Sequence, residues 1–313
     1  MTVSEAGEFG LIARVAARLP QGPTTLLGPG DDAAVVLASD GRVVASTDLL
    51  VEGRHFRRDW STAYDVGRRA AAANLADIVA MGAHPTALLV GFACPADLPL
   101  EWADAFADGL RDECALVGAS VVGGDMSRAD SVLISVTALG DLHGRPPVTR
   151  SGARPGDVVA VSGRLGWAEA GFSVLSRGFR SPRVLVDAHR RPEPPYAAGP
   201  AAAHLGATSM CDVSDGLVQD LGHIATASGV AIDVRRAAFA VTRQMSDAAQ
   251  ALGRDPWEWV LAGGDDHALA ATFPATVVLG DDWQVVGAVH DGTGVTVDGE
   301  PWEGPSGHDH FAR

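Results

Sequence analysis

Hydrophobic positions along this chain switch repeatedly between a helical and a strand-like period. Residues 8–19 place Phe9, Leu11, Ile12, Val15 and Leu19 at three- and four-residue spacings, which predicts a helix followed by a Pro/Gly loop. Short strand-like runs at 33–37 and 42–46 come next, and the second ends on Thr47-Asp48. Residues 62–81 predict a long helix with Leu75, Ile78, Val79 and Gly82 on its packed side. Asn74 and Asp77, three apart, share another face of it. A strand over 86–93, an amphipathic helix over 99–117 and strands over 120–122 and 132–139 complete a first half. The second half restarts with a strand over 157–162 and a helix over 166–177. A Pro-rich stretch at 192–200, helix 197–205, strand 208–213, helix 216–228 and strand 230–235 follow. The apolar run 257–262 leads to strand 268–273, and strands near 284–289 and 294–298 close the chain.

This alternation predicts an α/β (α+β) protein of two mixed sheet-plus-helix domains. At 313 residues the chain exceeds one typical core. The segment Leu142–Gly156, rich in Gly, Pro and Arg, reads as the junction and gives domains 1–145 and 146–313. Each half carries an apolar run followed by Gly-Gly-Asp: Val121-Val122-Gly-Gly-Asp125 and Leu261-Ala262-Gly-Gly-Asp265. Two related domains or chance would each produce that echo.

Composition narrows the chemistry. Apolar residues make up 47% and charged residues 20%, as in a soluble globular protein. The formal charge of −15 argues against nucleic-acid or anionic-membrane partners. Cys94, Cys114 and Cys211 lie far apart in apolar sequence, without zinc or disulfide spacing. Glu5, Glu8, Arg14 and Arg18 leave no secretory leader at the start. The uncharged stretch 78–96 is broken by Gly82, Pro85, Gly91 and Pro95, so it does not read as a membrane span. A cytoplasmic protein is expected.

There is no lysine, and all 24 basic residues are arginine. A Walker A loop, the third-strand lysine of a protein kinase and Schiff-base chemistry are thereby excluded. Aspartate outnumbers glutamate by 29 to 10, and five short Asp clusters lie beside apolar runs. Convergent carboxylates without ammonium groups make oxygen sites for hard cations. Mg²⁺ becomes the expected positive charge, and phosphate chemistry the leading question.

The clusters read individually as follows. Gly28-Pro-Gly-Asp31-Asp32-Ala33 matches a dinucleotide fingerprint by pattern only, because a strand follows where a helix is needed. It reads as a metal loop or a tight turn with solvated Asp. Ser46-Thr47-Asp48, at a strand end, offers three oxygen ligands over a short span, or else a helix cap. Asp77 sits mid-helix, where Asp is a poor choice. Asp125 follows paired glycines, which let backbone amides approach an anion. Asp212 and Asp215 flank Ser214 before a helix that either Ser214 or Asp215 could cap. Arg150, in Thr-Arg-Ser-Gly-Ala-Arg-Pro-Gly-Asp, offers a bidentate fork for phosphate. His55 lies just past Asp48 and reads as a substrate contact or a structural histidine. No Gly-x-Ser-x-Gly elbow or His-Glu-x-x-His motif occurs, and His308-Asp309-His310 lacks further ligands nearby.

In this order the motifs resemble the thiamine-monophosphate kinase family. The likeness runs from Gly-Glu-Phe-Gly-Leu-Ile at 7–12 through the clusters above and Asn-Leu-Ala-Asp-Ile-Val-Ala-Met-Gly-Ala at 74–83 to the terminal Asp-His-Phe. It implies the fold of aminoimidazole-ribonucleotide synthetase-like ATP enzymes. It further implies phosphorylation of thiamine phosphate by ATP, several Mg²⁺, a K⁺ requirement, and a homodimer pairing its N-terminal sheets. By motif, Asp32, Ser46, Thr47, Asp48, Asp77, Asp125, Asp212 and Asp215 would be metal ligands. Gly124, Asp125, Arg150 and Ser214 would meet ATP; His55, Asp265 and His308 would meet thiamine phosphate. Two positions depart from the commoner pattern. Gly-Gly-Glu-Asp is here Gly-Gly-Asp265-Asp266, shorter in reach by about 1.5 Å, and His308 replaces an aromatic residue. Another reaction of the same superfamily and a non-catalytic Mg-nucleotide-binding regulator are the alternatives.

Overall fold

The computed structural model describes residues 2–29, 33–305 and 307. The chain forms two compact units. One comprises residues up to Ile78 together with Ala83–Arg145; the other comprises Val79–Gly82 together with the chain from Pro146 onward.

The first unit opens with helix α1 (Val3–Ala16), started by a capping box between Thr2 and Glu5. A short ribbon, β1 (Thr25–Leu27) with β2 (Val35–Val36), precedes the main sheet. That sheet is built from β3 (Val44–Val51), β4 (His84–Cys94), β5 (Ser120–Arg128) and β6 (Leu133–Asp141). Its order is β3-β6-β4-β5, antiparallel except for the parallel pair β4/β5. Helix α3 (Leu100–Ala115) makes the crossover that a parallel pair needs. Helix α2 (Ala63–Ala80) owes its length to an Ala-rich interior. Its start is held by reciprocal bonds between Thr62 and Asp65. Leu88, Val90, Phe92, Ile134, Val136 and Ala138 form the buried face of the sheet. The Ser46 side chain and the Asp48 amide bond to α2 there, and Phe92 stacks on Trp102 and Phe106 of α3. The opposite face is open: Leu49 is 54% and Leu89 38% exposed.

The second unit holds a seven-stranded sheet of order β13-β12-β9-β11-β7-β10-β8. Its strands are β7 (Asp157–Ser162), β8 (Ser209–Val213), β9 (Ala231–Val234), β10 (Ala268–Pro274), β11 (Gln284–His290), β12 (Gly294–Val297) and β13 (Glu300–Pro301). All pairings are antiparallel except β12/β9. Among the described residues six α-helices accompany it: α4 (Trp167–Ser176), α5 (Arg183–Arg190), α6 (Ala198–Leu205), α7 (Leu217–Ser228), α8 (Arg243–Leu252) and α9 (Pro256–Ala262). Its core gathers Val79, Ala80, Val148, Ala202, Met210, Leu269 and Phe273, with Trp283 edge-on to Phe273.

Several expectations are corrected. The strand expected to end at Ser46-Thr47-Asp48 continues to Val51, because β6 pairs with it residue for residue from Val44 to Val51. The strand expected over 120–122 runs to Arg128, so Gly123-Gly124-Asp125 lies inside it. The second Gly-Gly-Asp follows a helix, α9, which Asp255 caps with Pro256 in its first turn. The two Gly-Gly-Asp segments therefore occupy unlike elements. The run at 33–37 forms only the two-residue β2. Neither α5 nor α8 was expected.

Candidate active site

The first unit brings a polar group together on the buried face of its sheet. Strand pleating sends alternate side chains to opposite faces. Ser46 and Asp48 therefore face α2, and Thr47 faces away. The Ser46 hydroxyl donates to Asp77 Oδ2 at 2.5 Å, and the Asp48 amide donates to Asn74 Oδ1 at 3.1 Å. Asn74 is fully buried, and its Nδ2 donates to the Ala70 carbonyl. One helical turn of α2 thus clamps one pleat of β3. Thr47 instead donates to the Val136 carbonyl and bonds to Thr137 on the open face. The expected triplet of converging oxygens is split by the pleat, and neither Ser46 nor Thr47 caps a helix.

Asp125 is exposed on β5 and pairs with Gly91, which pairs with Ser135 and so with Leu49. Cross-strand partners share a face, so Asp125 lies on the open one. Three strand spacings of about 4.8 Å separate β5 from β3. Within one sheet, Asp125 and Asp48 do not converge. Gly124 has no room for a Cβ, which would overlap the Val90 carbonyl. His55 Nδ1 accepts from the Val51 amide at 3.0 Å, which leaves Nε2 to carry the ring proton. An apolar cavity of about 210 Å³, lined by residues including Val36, Val43 and Leu139, contains none of the expected site residues. Asp32 and His308 lie outside the described residues.

The second unit collects carboxylates where β8, α7, α9 and β10 meet. Asp212, near the end of β8, is buried with His267 Nδ1 3.2 Å from its Oδ2. Ser214 and Asp215 follow in the turn, but the residue at the helix cap is Gly216. Asp220 Oδ2 accepts from the amides of both Asp215 and Gly216. Burial, and then the charge of Asp212, push the Asp220 carboxyl up to about 7 against those two bonds. Asp265 and Asp266 part company. Asp265 is exposed at φ 67°, with its amide bonded to the Ser214 carbonyl. Asp266 is buried, and its Oδ1 accepts from the Ala168 amide at the start of α4. Its Oδ2 has no hydrogen-bond partner among the described residues. Burial pushes Asp266 up to about 7, opposed by that amide and by Arg164. Glu169 also stands at about 7, raised by burial and then by the charge of Asp265. Arg150 is exposed, and its carbonyl accepts from the Ser228 hydroxyl.

Sequence reasoning did not assign Glu169, Asp220 or His267 to this region. Their only signal is proximity along the chain to named clusters: Asp220 five residues after Asp215, and His267 directly after Asp266. Glu169 has no signal at all.

The donor set can be tested against Mg²⁺. Among the described residues, no three His, Cys, Asp or Glu side chains are grouped to hold a metal by themselves. Mg²⁺ seldom uses such cages. It binds through one or two carboxylates plus phosphate oxygens and water. Asp77 beside the Ser46 hydroxyl and the carboxylates of Asp48, Asp212 and Asp215 are hard oxygen donors, the chemistry that a nucleotide-borne Mg²⁺ takes.

Residues 30–142 match the family model described as AIR synthase related protein, N-terminal domain. Of the two mixed α/β units, the first thus carries an N-terminal domain of the AIR synthase-related class. Thiamine-monophosphate kinase of Mycobacterium tuberculosis (strain ATCC 25618 / H37Rv) is 52% identical over 314 residues, covering 100% of this chain and 94% of the relative. A crystal structure of thiamine-monophosphate kinase from Stenotrophomonas maltophilia K279a aligns with a TM-score of 0.82 at 32% identity, covering 95% of this chain and 98% of that one. A structure described as AaThiL complexed with AMPPCP and TMP aligns at 0.79 and 33%, covering 99% of each. The chain belongs to the thiamine-monophosphate kinase family.

Proposed function

We propose that this chain transfers the γ-phosphoryl group of ATP directly to the phosphate of thiamine phosphate, giving thiamine diphosphate and ADP. The observation that carries the reading is the Ser46–Asp77 and Asp48–Asn74 clamp, a preformed oxygen site in a chain matched along its full length by kinases. Asp48 and Asp77, with Ser46 and Asp32, would hold Mg²⁺ in the first unit; Thr47 and Asp125, on the open face of the sheet, would serve a separate cation, and Asp212 and Asp215 one in the second unit. Bound Mg²⁺ supplies positive charge that offsets the severe repulsion between two phosphate groups about 4 Å apart. Arg150 would orient ATP phosphate through its planar fork, and Gly124 and Ser214 would also contact ATP. His55 would donate from Nε2, and His55, Asp265 and His308 would receive the thiamine end.

The acceptor needs no general base. A phosphate monoester has a second pKa near about 6, so it is largely dianionic at neutral pH. Positioning and charge then supply the catalysis, and transfer is in line. A phospho-enzyme trapped with labelled ATP alone would contradict this. The open sheet face bearing Leu49, Leu89 and Asp125 supports pairing of N-terminal sheets in a homodimer. Sedimentation of Leu49→Arg as a monomer is the expected outcome there. The three free thiols support a reducing cytoplasmic setting. No helix among the described residues is long and apolar enough to cross a membrane.

The deciding assay mixes the protein with ATP, Mg²⁺, K⁺ and thiamine phosphate and follows thiamine diphosphate by chromatography. Product is expected. Bound ATP without product would favour a regulatory protein, the reading favoured by the short, exposed Asp265. Product from another phosphorylated acceptor would favour a different reaction of the class.

A further inference from the structure

Helix α7 begins with four amides that its own turns cannot satisfy. Its cap residue, Gly216, adopts φ 125° and ψ 142°, a region closed to side-chain-bearing residues. It supplies no capping oxygen. Asp220, one turn into the helix and 1% exposed, reaches back instead. Its Oδ2 accepts from the Asp215 amide at 3.0 Å and the Gly216 amide at 3.1 Å. This is the returning limb of a capping box, set one residue later than usual and aimed at two amides. Asp220 is itself tied to β8, since its carbonyl accepts from Cys211 Sγ at 3.7 Å.

Two consequences follow for the turn. Two successive amides on one oxygen fix the peptide between Asp215 and Gly216, and so the direction in which the Asp215 side chain leaves the backbone. Asp212 is fixed separately, by pairing with Leu269 and by His267. The spacing of the two carboxylates is therefore set by Asp220. A helix N-terminus with free amides attracts phosphate. Here an internal carboxylate takes up the cap amide of Gly216 and the amide just before it. We propose that Asp220 is a positioning residue that holds the Asp212–Gly216 turn ready for a cation. The inference rests on the reading of Asp212 and Asp215 as metal ligands.

The test is Mn²⁺ binding to the full-length protein with a non-hydrolysable ATP analogue, followed by electron paramagnetic resonance. Asp220→Ala should weaken Mn²⁺ binding roughly tenfold to a hundredfold, the range for loss of a residue that supports a ligand. Asp220→Asn, which keeps an acceptor oxygen for both amides, should recover most of that loss. In turnover, Asp220→Ala should raise the Mg²⁺ requirement while kcat at saturating Mg²⁺ is retained. Unchanged Mn²⁺ affinity in Asp220→Ala, or equal loss in both variants, would overturn the inference. Asp215→Asn binding Mn²⁺ like the wild type would overturn the ligand reading beneath it, and the inference with it. Amide exchange gives a readout that does not depend on the alanine variant folding. The Asp215 and Gly216 amides should be protected in the wild-type chain, and free exchange there would also overturn the inference.

Discussion

Asp77 accepts the Ser46 hydroxyl at 2.5 Å from the last turn of α2, not from mid-helix as expected, and there a carboxylate opposes the helix dipole. Its oddness could be read from the chain; its partner could not, because thirty-one positions separate the two. Asp77→Asn should lower turnover at least about a hundredfold, since losing a ligand costs no less than losing its support. Its thermal unfolding should match the wild type. Wild-type turnover in a folded variant would remove Asp77 from the ligand set. Asp265 and Asp266 make the complementary point. They stand side by side in the sequence, yet one is exposed in the left-handed region and the other is buried at the start of α4. Nothing local distinguishes them. The α4 amides that single out Asp266 come from about a hundred residues earlier.

At the scale of elements, most helices and strands were visible because apolar spacing is a local property. Strand β3 was cut short because Ser46-Thr47-Asp48 is polar, and polar runs commonly end strands. Pairing with β6 overrides that preference. The same pleat then sends Thr47 to the opposite face from Ser46 and Asp48. Helices α2 and α3 approach each other at Gly67 and Gly109, where a Cβ would overlap the carbonyls of Phe106 and Tyr64 respectively. Neither glycine stood out in the sequence, since each lies inside a helical pattern. Gly109→Ala should destabilise the chain by about 3 kcal/mol or more through overpacking. The shift would be read in the urea midpoint, and a change within experimental error would refute the close crossing.

For the molecule as a whole, three carboxyls of the second unit stand at about 7: Glu169, Asp220 and Asp266. Each is raised mainly by burial. A folded-state value above the unfolded one means that the native state holds extra protons between them. The contribution to stability is complete below about pH 4 and is lost as pH rises through about 7. Asp40 and Asp104 are held low by Arg42 and Arg14 respectively, so they act in a different window. Their contribution is present above the ordinary carboxylate value and is lost only in stronger acid. His84, lowered by burial below the ordinary histidine value, opposes the trend as one group against three. The metal-free protein should therefore have a lower Tm at about pH 8 than at about pH 5. The Asp266→Asn variant should show a shallower decline across that range. An equal or steeper decline would show that Asp266 is not a source of the trend.

Residue types and their local spacing settled a good deal without any structure. They predicted mixed α/β architecture, and they excluded lysine-dependent phosphate sites. They also drew attention to aspartates in glycine-rich and hydroxyl-bearing contexts, because periodicity and side-chain chemistry are properties of short stretches of chain. The direction in which each aspartate points was decided only by tertiary structure. Pleat parity puts Thr47 and Asp125 on the face opposite Asp48, and strand order sets Asp125 three strands away from it. A helical turn brings Asn74 and Asp77 onto β3, and Asp220 holds the Asp215 turn from within α7. Those outcomes depend on which elements pair and pack, and on contacts between residues far apart in the chain.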